Sequence, residues 1–296
     1  MTAIPREERR NWIGASESAA LFGMSPFTTR YQLWHEKRGT IDPDNLDDDE
    51  RVNAGKYLEP AIAAWASFKW RWKITNVEGY SPHPTVPGMG CSLDFVTEDG
   101  APVEIKNVDY LVFRDKWQAE GAEIIDAPEH YLIQVQHQLA CHPAADHAWL
   151  LACVGGNKLY RMRVERHANF IAALEAEVAD FWQSIRDGKE PHPSFTQDAK
   201  TISRVYALGG GDVADLRDNN RMPELCSDYL RAKLAEKAAK EVAETAMAEI
   251  RTLIGNAGTA LVAGGYTIKR SNVKAGRVEA FDRKPYSRFT IMENAQ

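Results

Sequence analysis

The sequence predicts an α/β fold with a mixed central sheet flanked by helices, followed by a long helix and a small β extension. Three observations carry this expectation. Apolar residues recur at helical spacing on either side of a strand-rich middle, as in Phe170, Ile171, Leu174, Val178 and Phe181. The runs CSLDFV, PVEIKNV, WLLACV and KLYRMRV are strand-like and are separated by turn residues, among them Glu98-Asp99-Gly100 and Gly155-Gly156-Asn157. An Ala-, Glu- and Lys-rich stretch from Pro223 to Ile254 spaces Leu225, Tyr229, Leu234, Val242, Met247, Ile250 and Leu253 as a long helix does.

A chain of 296 residues exceeds what one small core needs, which favours one domain with an appended module. With 44% hydrophobic and 26% charged residues, the composition is that of ordinary globular proteins rather than of disordered ones. No apolar run approaches the roughly 20 residues that span a bilayer. The opening MTAIPREERRNW is charged where a signal peptide is apolar, so a cytosolic protein without a membrane partner is expected. Cys91, Cys141, Cys153 and Cys226 contain no C-x-x-C pair, which excludes zinc-ribbon and thioredoxin patterns and points to reduced thiols. An iron-sulfur site would require the fold to gather them. The net charge of −6 has the wrong sign for coating nucleic acid through bulk electrostatics, so any DNA contact must use local basic patches.

Taken in order, residues 12–39 read as a helix carrying Ser16, Ala19, Ala20 and Leu21, a Gly-Met-Ser-Pro break, and a second helix over Tyr31, Leu33 and Trp34 that ends at Gly39. The acidic run Asp47–Glu50 opens a third helix, where negative charge suits the positive N-terminus. That helix is expected to turn Val52, Leu58, Ile62 and Trp65 inward and to bend or restart at Pro60. Strands and turns follow from Ile74 to Val108, then a helix beginning at Pro128, a buried and an alternating strand, and a closing helix. The core is expected at 1–195, a linker or surface excursion at 196–222, and a helix and strand module at 223–296, with strands TALVA, YTIKR and SRFTI.

The chemistry lies in the pairing of CSLDFV with PVEIKN across a three-residue loop centred on Asp99. In that register Asp94 opposes Glu104 and Ser92 opposes Lys106. Alternation then puts Ser92, Asp94, Glu104 and Lys106 on one face, and Leu93, Phe95, Val103 and Ile105 on the other. A two-residue loop would mix the faces. Opposed carboxylates repel unless a cation lies between them, and all-oxygen ligands point to magnesium or manganese. An exposed acidic pair offset by a lysine has the same local pattern. Glu59 upstream, and Tyr131, Gln134 and Gln138 on one face of the downstream helix, supply further polar groups, though a solvated face also fits the glutamines. His130, His137, His142 and His147 lack i, i+4 zinc spacing, and nucleophile-elbow, Walker and dinucleotide motifs are absent.

The pieces IGASESAALFGMSPF, LWHEKRG, GKYLEP, CSLDF, VEIK and YLIQVQHQLA, in this order over residues 10–195, resemble the YqaJ-like phage recombinase nucleases, relatives of lambda exonuclease in the PD-(D/E)XK superfamily. The resemblance implies a restriction-endonuclease-like core in which Asp94, Glu104, Glu59 and the backbone carbonyl of Ile105 bind Mg2+, with Mn2+ as a substitute. By the same resemblance Lys106 is the motif lysine, and Tyr131 and Gln134 flank the site. Ser16 and Ser92 match serines that touch DNA phosphate, and Arg9 or Arg10 matches an arginine that attracts a 5′-phosphate. Leu93 departs from the proline that usually precedes the motif aspartate. The implied activity is metal-dependent 5′ to 3′ digestion of linear duplex DNA, leaving 3′ single-stranded overhangs for an annealing protein. A homo-oligomeric ring, trimer or tetramer, in the cytoplasm of a bacterial host is implied with it.

An endonuclease or structure-specific repair nuclease on the same core, and a DNA-binding scaffold without turnover, remain alternatives. The long helix and last strands extend beyond the shorter lambda exonuclease. Lys269, Arg270, Lys274, Arg277, Arg283, Lys284 and Arg288 near the C-terminus are expected to grip DNA, a partner or an acidic neighbour, or to form a solvated basic face.

Overall fold

The computed structural model describes residues 8–77, 79–208 and 212–271. The chain divides into two units, one ending at Val205 and one starting at Tyr206.

The first unit opens with two 3-10 turns, Glu8–Asn11 and Ala15–Glu17, and the short helix α1 (Ser18–Leu21). The single helix expected across Ser16 is therefore broken. The cause is tertiary: Ile13 forms a parallel bridge with Met89, its amide donating to the Gly88 carbonyl (2.7 Å) while its carbonyl accepts from Gly90 (3.2 Å). Backbone engaged in that bridge is unavailable to a helix ladder. Helix α2 (Arg30–Arg38) is capped by the Thr29 side chain and stopped by Gly39 at φ 80°, as its sequence predicts.

Helix α3 (Glu50–Trp70) starts at Asp49, whose carboxylate accepts the Arg51 and Val52 amides, and runs on through Pro60. It buries Ile62, Ala63 and Ala66, with Trp65 half-buried. Leu58, expected inward, is 40% exposed. Positions 58 and 59 lie one turn before 62 and 63 on the same helix face. The buried stripe begins only at Ile62, so that face is open at Leu58 and Glu59.

The strands are β1 (Ile74–Asn76), β2 (Ser81–Pro82), β3 (Gly90–Cys91), β4 (Phe95–Thr97) and β5 (Pro102–Val108). After helix α4 (Tyr110–Lys116) come β6 (Gln118–Glu120) and β7 (Glu123–Asp126). Helix α5 (Glu129–Cys141), with Pro128 at its cap, precedes β8 (His147–Val154) and β9 (Lys158–Glu165), and α6 (Ala168–Arg186) follows. Seven strands form a mixed sheet in the order β1-β4-β5-β8-β9-β7-β6, parallel at β5/β8 and β7/β9. Strands β2 and β3 pair separately.

Both faces of the sheet are covered, and β8 records this in its alternation. Ala148, Leu150, Ala152 and Val154 pack with Val135 and Leu139 of α5 and Leu174, Val178 and Phe181 of α6. Leu151 and Cys153 pack on the other face with Ile62, Ala63 and Ala66 of α3, beside Phe95, Val103 and Ile105. A strand buried on both sides reads as a continuous apolar run, which is why WLLACV is legible. The stretch expected to link the units instead contributes α7 (Ala199–Val205) to the first. Asp198 before it is 1% exposed, and its carboxylate accepts from the Thr29 hydroxyl and the Ser194 amide.

The second unit contains α8 (Met222–Ile254), which buries none of its residues, and the hairpin β10 (Thr259–Val262) with β11 (Tyr266–Lys269). The expected strand SRFTI and the basic residues from Lys274 to Arg288 lie outside the described residues.

Gly88 holds the segment that anchors Ile13. It sits at φ +77°, and a Cβ there would stand 2.5 Å from Nε1 of Trp182, which donates to the Gly88 carbonyl at 2.9 Å. Gly88→Ala should therefore lower stability by about 2 kcal/mol, through backbone strain and the displaced indole, as read from denaturant unfolding. An unchanged midpoint would contradict this packing.

Candidate active site

Strands β4 and β5 pair Phe95 with Val103 and Val96 with Pro102 around the loop 98–100. This is the register in which Asp94 continues opposite Glu104. The β4–β5 ladder ends there, while on the β1 edge the Asp94 carbonyl accepts from the Val77 amide and the Asn76 side chain, both at 3.1 Å. Leu93 consequently leaves the expected face: it packs with Ala15, Cys91 and Cys141, apart from Phe95, Val103 and Ile105. Past Val103, β5 keeps its parallel partner β8 but has no β4 residue across it, and Ile105 is in this portion.

With Val103 and Ile105 turned to α3, alternation turns Glu104 and Lys106 toward α5. Glu104 is 3% exposed, and a network of donors from β5 and α5 holds its carboxylate. Lys106 Nζ lies 2.5 Å from Oε1, and Gln134 Nε2 donates to the same oxygen at 2.8 Å. Gln138 Nε2 donates to Oε2 at 2.5 Å, while Lys106 also donates to Gln134 Oε1 at 3.1 Å. A carboxylate this deeply buried is tolerable only with such donors around it. Tyr131, one turn before Gln134, places its ring 4.9 Å from the Lys106 ammonium. The face formed by 131, 134 and 138 is thus directed at β5 and not at solvent. Gln138 was legible from its i, i+4 spacing to Gln134, but its bond to Glu104 depends on the packing of α5.

Asp94 and Glu59 are less well compensated. Burial, then the charge of Glu104, pushes the Asp94 carboxyl up to about 6 against the pull of Lys106. Burial, then Asp94 and Glu104, pushes Glu59 up to about 7, opposed by Lys106 and Lys56. Burial works to lower Lys106, but the adjacent Glu104 carboxylate outweighs it and leaves the ammonium above its ordinary value. Lys106 is therefore a fixed positive charge, and the surplus at this point is negative. Among the described residues no three Asp, Glu, His or Cys side chains are gathered closely enough to hold a metal ion as they stand. The donor chemistry nevertheless fits a hard cation: three carboxylates, two of them held back from ionising by burial and mutual repulsion. Gln138 is the one described donor to Glu104 Oε2, which leaves that oxygen a second acceptor position.

A cleft of about 600 Å3, within the roughly 300–1,000 Å3 usual for ligand sites, is lined by Glu59, Asp94 and Gln134 together with Ser16, Ser92 and Arg9. Arg10 points elsewhere and pairs with Asp42. The cysteines are free: Cys91 and Cys141 share one apolar cluster, whereas Cys153 packs in another across the sheet, so the first unit does not gather its three. Cys226 belongs to α8 of the second unit. His137 is structural, 2.5 Å from the Ser18 hydroxyl and 2.9 Å from the Gly90 carbonyl.

Residues 6–146 match the family described as the YqaJ-like viral recombinase domain. An uncharacterized protein, YqaJ of Bacillus subtilis (strain 168), is 26% identical over 231 residues, covering 76% of this chain and 70% of that protein. The chain also shares its fold with a crystal structure of an alkaline exonuclease, LHK-Exo, from Laribacter hongkongensis, at a TM-score of 0.51 and 21% identity over 66% of this chain and 97% of the other. The complex of LHK-Exo with dAMP gives a TM-score of 0.50 and 22% identity, over 66% and 95% of the two chains. No helix among the described residues is long and apolar enough to cross a membrane.

The raised carboxyls of Asp94 and Glu59 make stability depend on pH. Asp94 and Glu59 are harder to ionise folded than unfolded, so their contribution is complete below about pH 4 and is lost as the pH rises through about 6 and about 7. In chelator, thermal melts of the wild type should fall between about pH 5 and about pH 8 more steeply than those of Asp94→Asn. Equal slopes would contradict the repulsion inferred here.

Proposed function

We propose that this protein is a magnesium-dependent deoxyribonuclease that digests linear duplex DNA from its ends. The observation that carries the reading is a cleft lined by Asp94, Glu59, Ser16, Ser92 and Arg9, whose Gln134 wall is hydrogen-bonded to the Glu104–Lys106 pair. The match of residues 6–146 to the YqaJ-like viral recombinase domain supports it, as does the fold shared with an exonuclease.

Asp94, Glu104, Glu59 and the Ile105 carbonyl are the groups that would hold the ion, with manganese as a substitute. Magnesium bound there supplies Lewis-acid chemistry to a phosphodiester. Gln134 and Gln138 fix the Glu104 carboxylate, so its orientation needs no reorganisation during reaction. Lys106, kept protonated by Glu104, serves as positive charge for the developing phosphorane and not as a proton acceptor. Tyr131 confines the ammonium from the side of α5. Ser16, Ser92 and Arg9 are hydrogen-bond and charge donors for DNA phosphate. By the family resemblance the polarity is 5′ to 3′, the product is a 3′ overhang, and the partners are duplex ends, a single-strand annealing protein and further copies of the chain in a ring.

Duplex labelled at one 5′ or 3′ end, with and without terminal phosphate, should be shortened in magnesium and left intact in chelator, with release of the 5′ label first. Glu104→Gln and Lys106→Met should each slow cleavage by at least about 1,000-fold, since each removes charge aimed at the reacting phosphate or its metal. Activity of either variant within a few-fold of wild type, or cutting of covalently closed circles, would overturn the assignment.

A further inference from the structure

The motif LWHEKRG ends on α2, away from the carboxylates, yet one of its side chains reaches the wall of the cleft. The Lys37 side chain is only 5% exposed. Its ammonium donates to both oxygens of Glu17, at 2.7 and 2.8 Å, and to the Arg9 carbonyl at 2.9 Å. All three donors of the ammonium are thereby used. Glu17 Oε2 in turn accepts the Gly14 amide at 2.8 Å. One buried cation thus ties α2 to the 3-10 turn carrying Arg9 and to the turn carrying Ser16.

Glu17 itself lines the cleft, next in sequence to Ser16. An unpaired carboxylate at that point would repel a phosphate approaching Ser16 or Arg9. The Gly14 amide bond explains why an acid stands there at all: it closes the turn that presents Ser16. Such a turn is compatible with an anion site only if its charge is cancelled from behind.

We propose that Lys37 is a positioning residue for DNA phosphate, cancelling the charge of Glu17 and holding it away from the phosphate that Ser16 and Arg9 receive. This rests on the nuclease reading above. Removing only the cation leaves a partly buried charge without a partner, whereas removing both charges does not. The first change adds net negative charge beside an anionic ligand, and the second leaves the net charge as it was.

The test is equilibrium binding of a 5′-phosphorylated duplex in chelator, followed by fluorescence anisotropy, together with KM and kcat in magnesium and a thermal melt for each variant. Lys37→Met should weaken binding by about 10-fold or more and raise KM, with kcat at saturating DNA changed far less. The double variant Lys37→Met/Glu17→Gln should return to within about 3-fold of wild-type binding, because the glutamine keeps the Gly14 contact without the charge. Glu17→Gln alone should bind as tightly as wild type or more tightly, and it serves if Lys37→Met does not fold. A double variant no better than Lys37→Met, or a Glu17→Gln protein that binds more weakly than wild type, would overturn the proposal. If the wild type binds duplex but does not cut it, the nuclease reading fails while this comparison still decides the role of Lys37. If the wild type does not bind duplex, both fail.

Discussion

A carboxylate buried between a sheet and a helix has to be surrounded by donors, and the placement of Glu104 governs what the neighbouring elements can be. Its position on β5 turns it toward α5, and α5 must answer with Gln134 and Gln138 at i, i+4 spacing. Lys106, two residues along the same strand, closes the remaining side. An apolar residue at 134 or 138 would leave part of a buried charge unsatisfied, a penalty of several kcal/mol by the usual cost of such groups. The glutamine face of α5 is therefore fixed by the acid on β5 as much as by the apolar contacts of Val135 and Leu139.

The period-two geometry of β5 does a second thing. It sends Val103 and Ile105 to α3 while sending Glu104 and Lys106 to α5, so the same strand completes one apolar layer and furnishes one polar site. Helix α3 contributes to both in a different way. Its inward face is apolar at Ile62, Ala63 and Ala66, and one turn earlier the same face carries Glu59 into the cleft. Asp94 arrives where the β4–β5 ladder ends and the backbone turns to Val77 and Asn76. Asp94 and Glu59 thus reach the cleft where packing has thinned, beside a Glu104 that stays buried.

The hairpin register was legible in the sequence because only a three-residue loop keeps Asp94 opposite Glu104 while leaving Phe95, Val103 and Ile105 on the core face. Helix α8, β8 and β9 were legible for the same kind of reason, a sustained period or a buried run bounded by glycines. Leu93 was not, since strict alternation assumes a ladder that the Asp94 backbone abandons. The first helix was drawn too long because Ile13 is recruited into a bridge with Met89, a contact 76 positions away that propensity does not encode. Elements α4, β6, β7 and α7 are short, and their stability comes from distant partners such as Thr29 on Asp198. Among the site residues, Asp94, Glu104 and Lys106 followed from pattern and Glu59, Ser16 and Ser92 from resemblance. The hold of Gln138 on Glu104 and of Lys37 on Glu17 required coordinates, because each joins residues far apart in the chain.

The proposed nuclease requires a cation to relieve the repulsion among Asp94, Glu59 and Glu104. The most direct measurement is a crystal structure of the protein grown with manganese, using anomalous scattering to locate the ion. Bound manganese should give an anomalous peak in the cleft, bounded by the carboxylates of Asp94, Glu104 and Glu59, with Gln134 and Gln138 still on Glu104. A peak elsewhere, or none at manganese concentrations that support DNA cleavage, would contradict this.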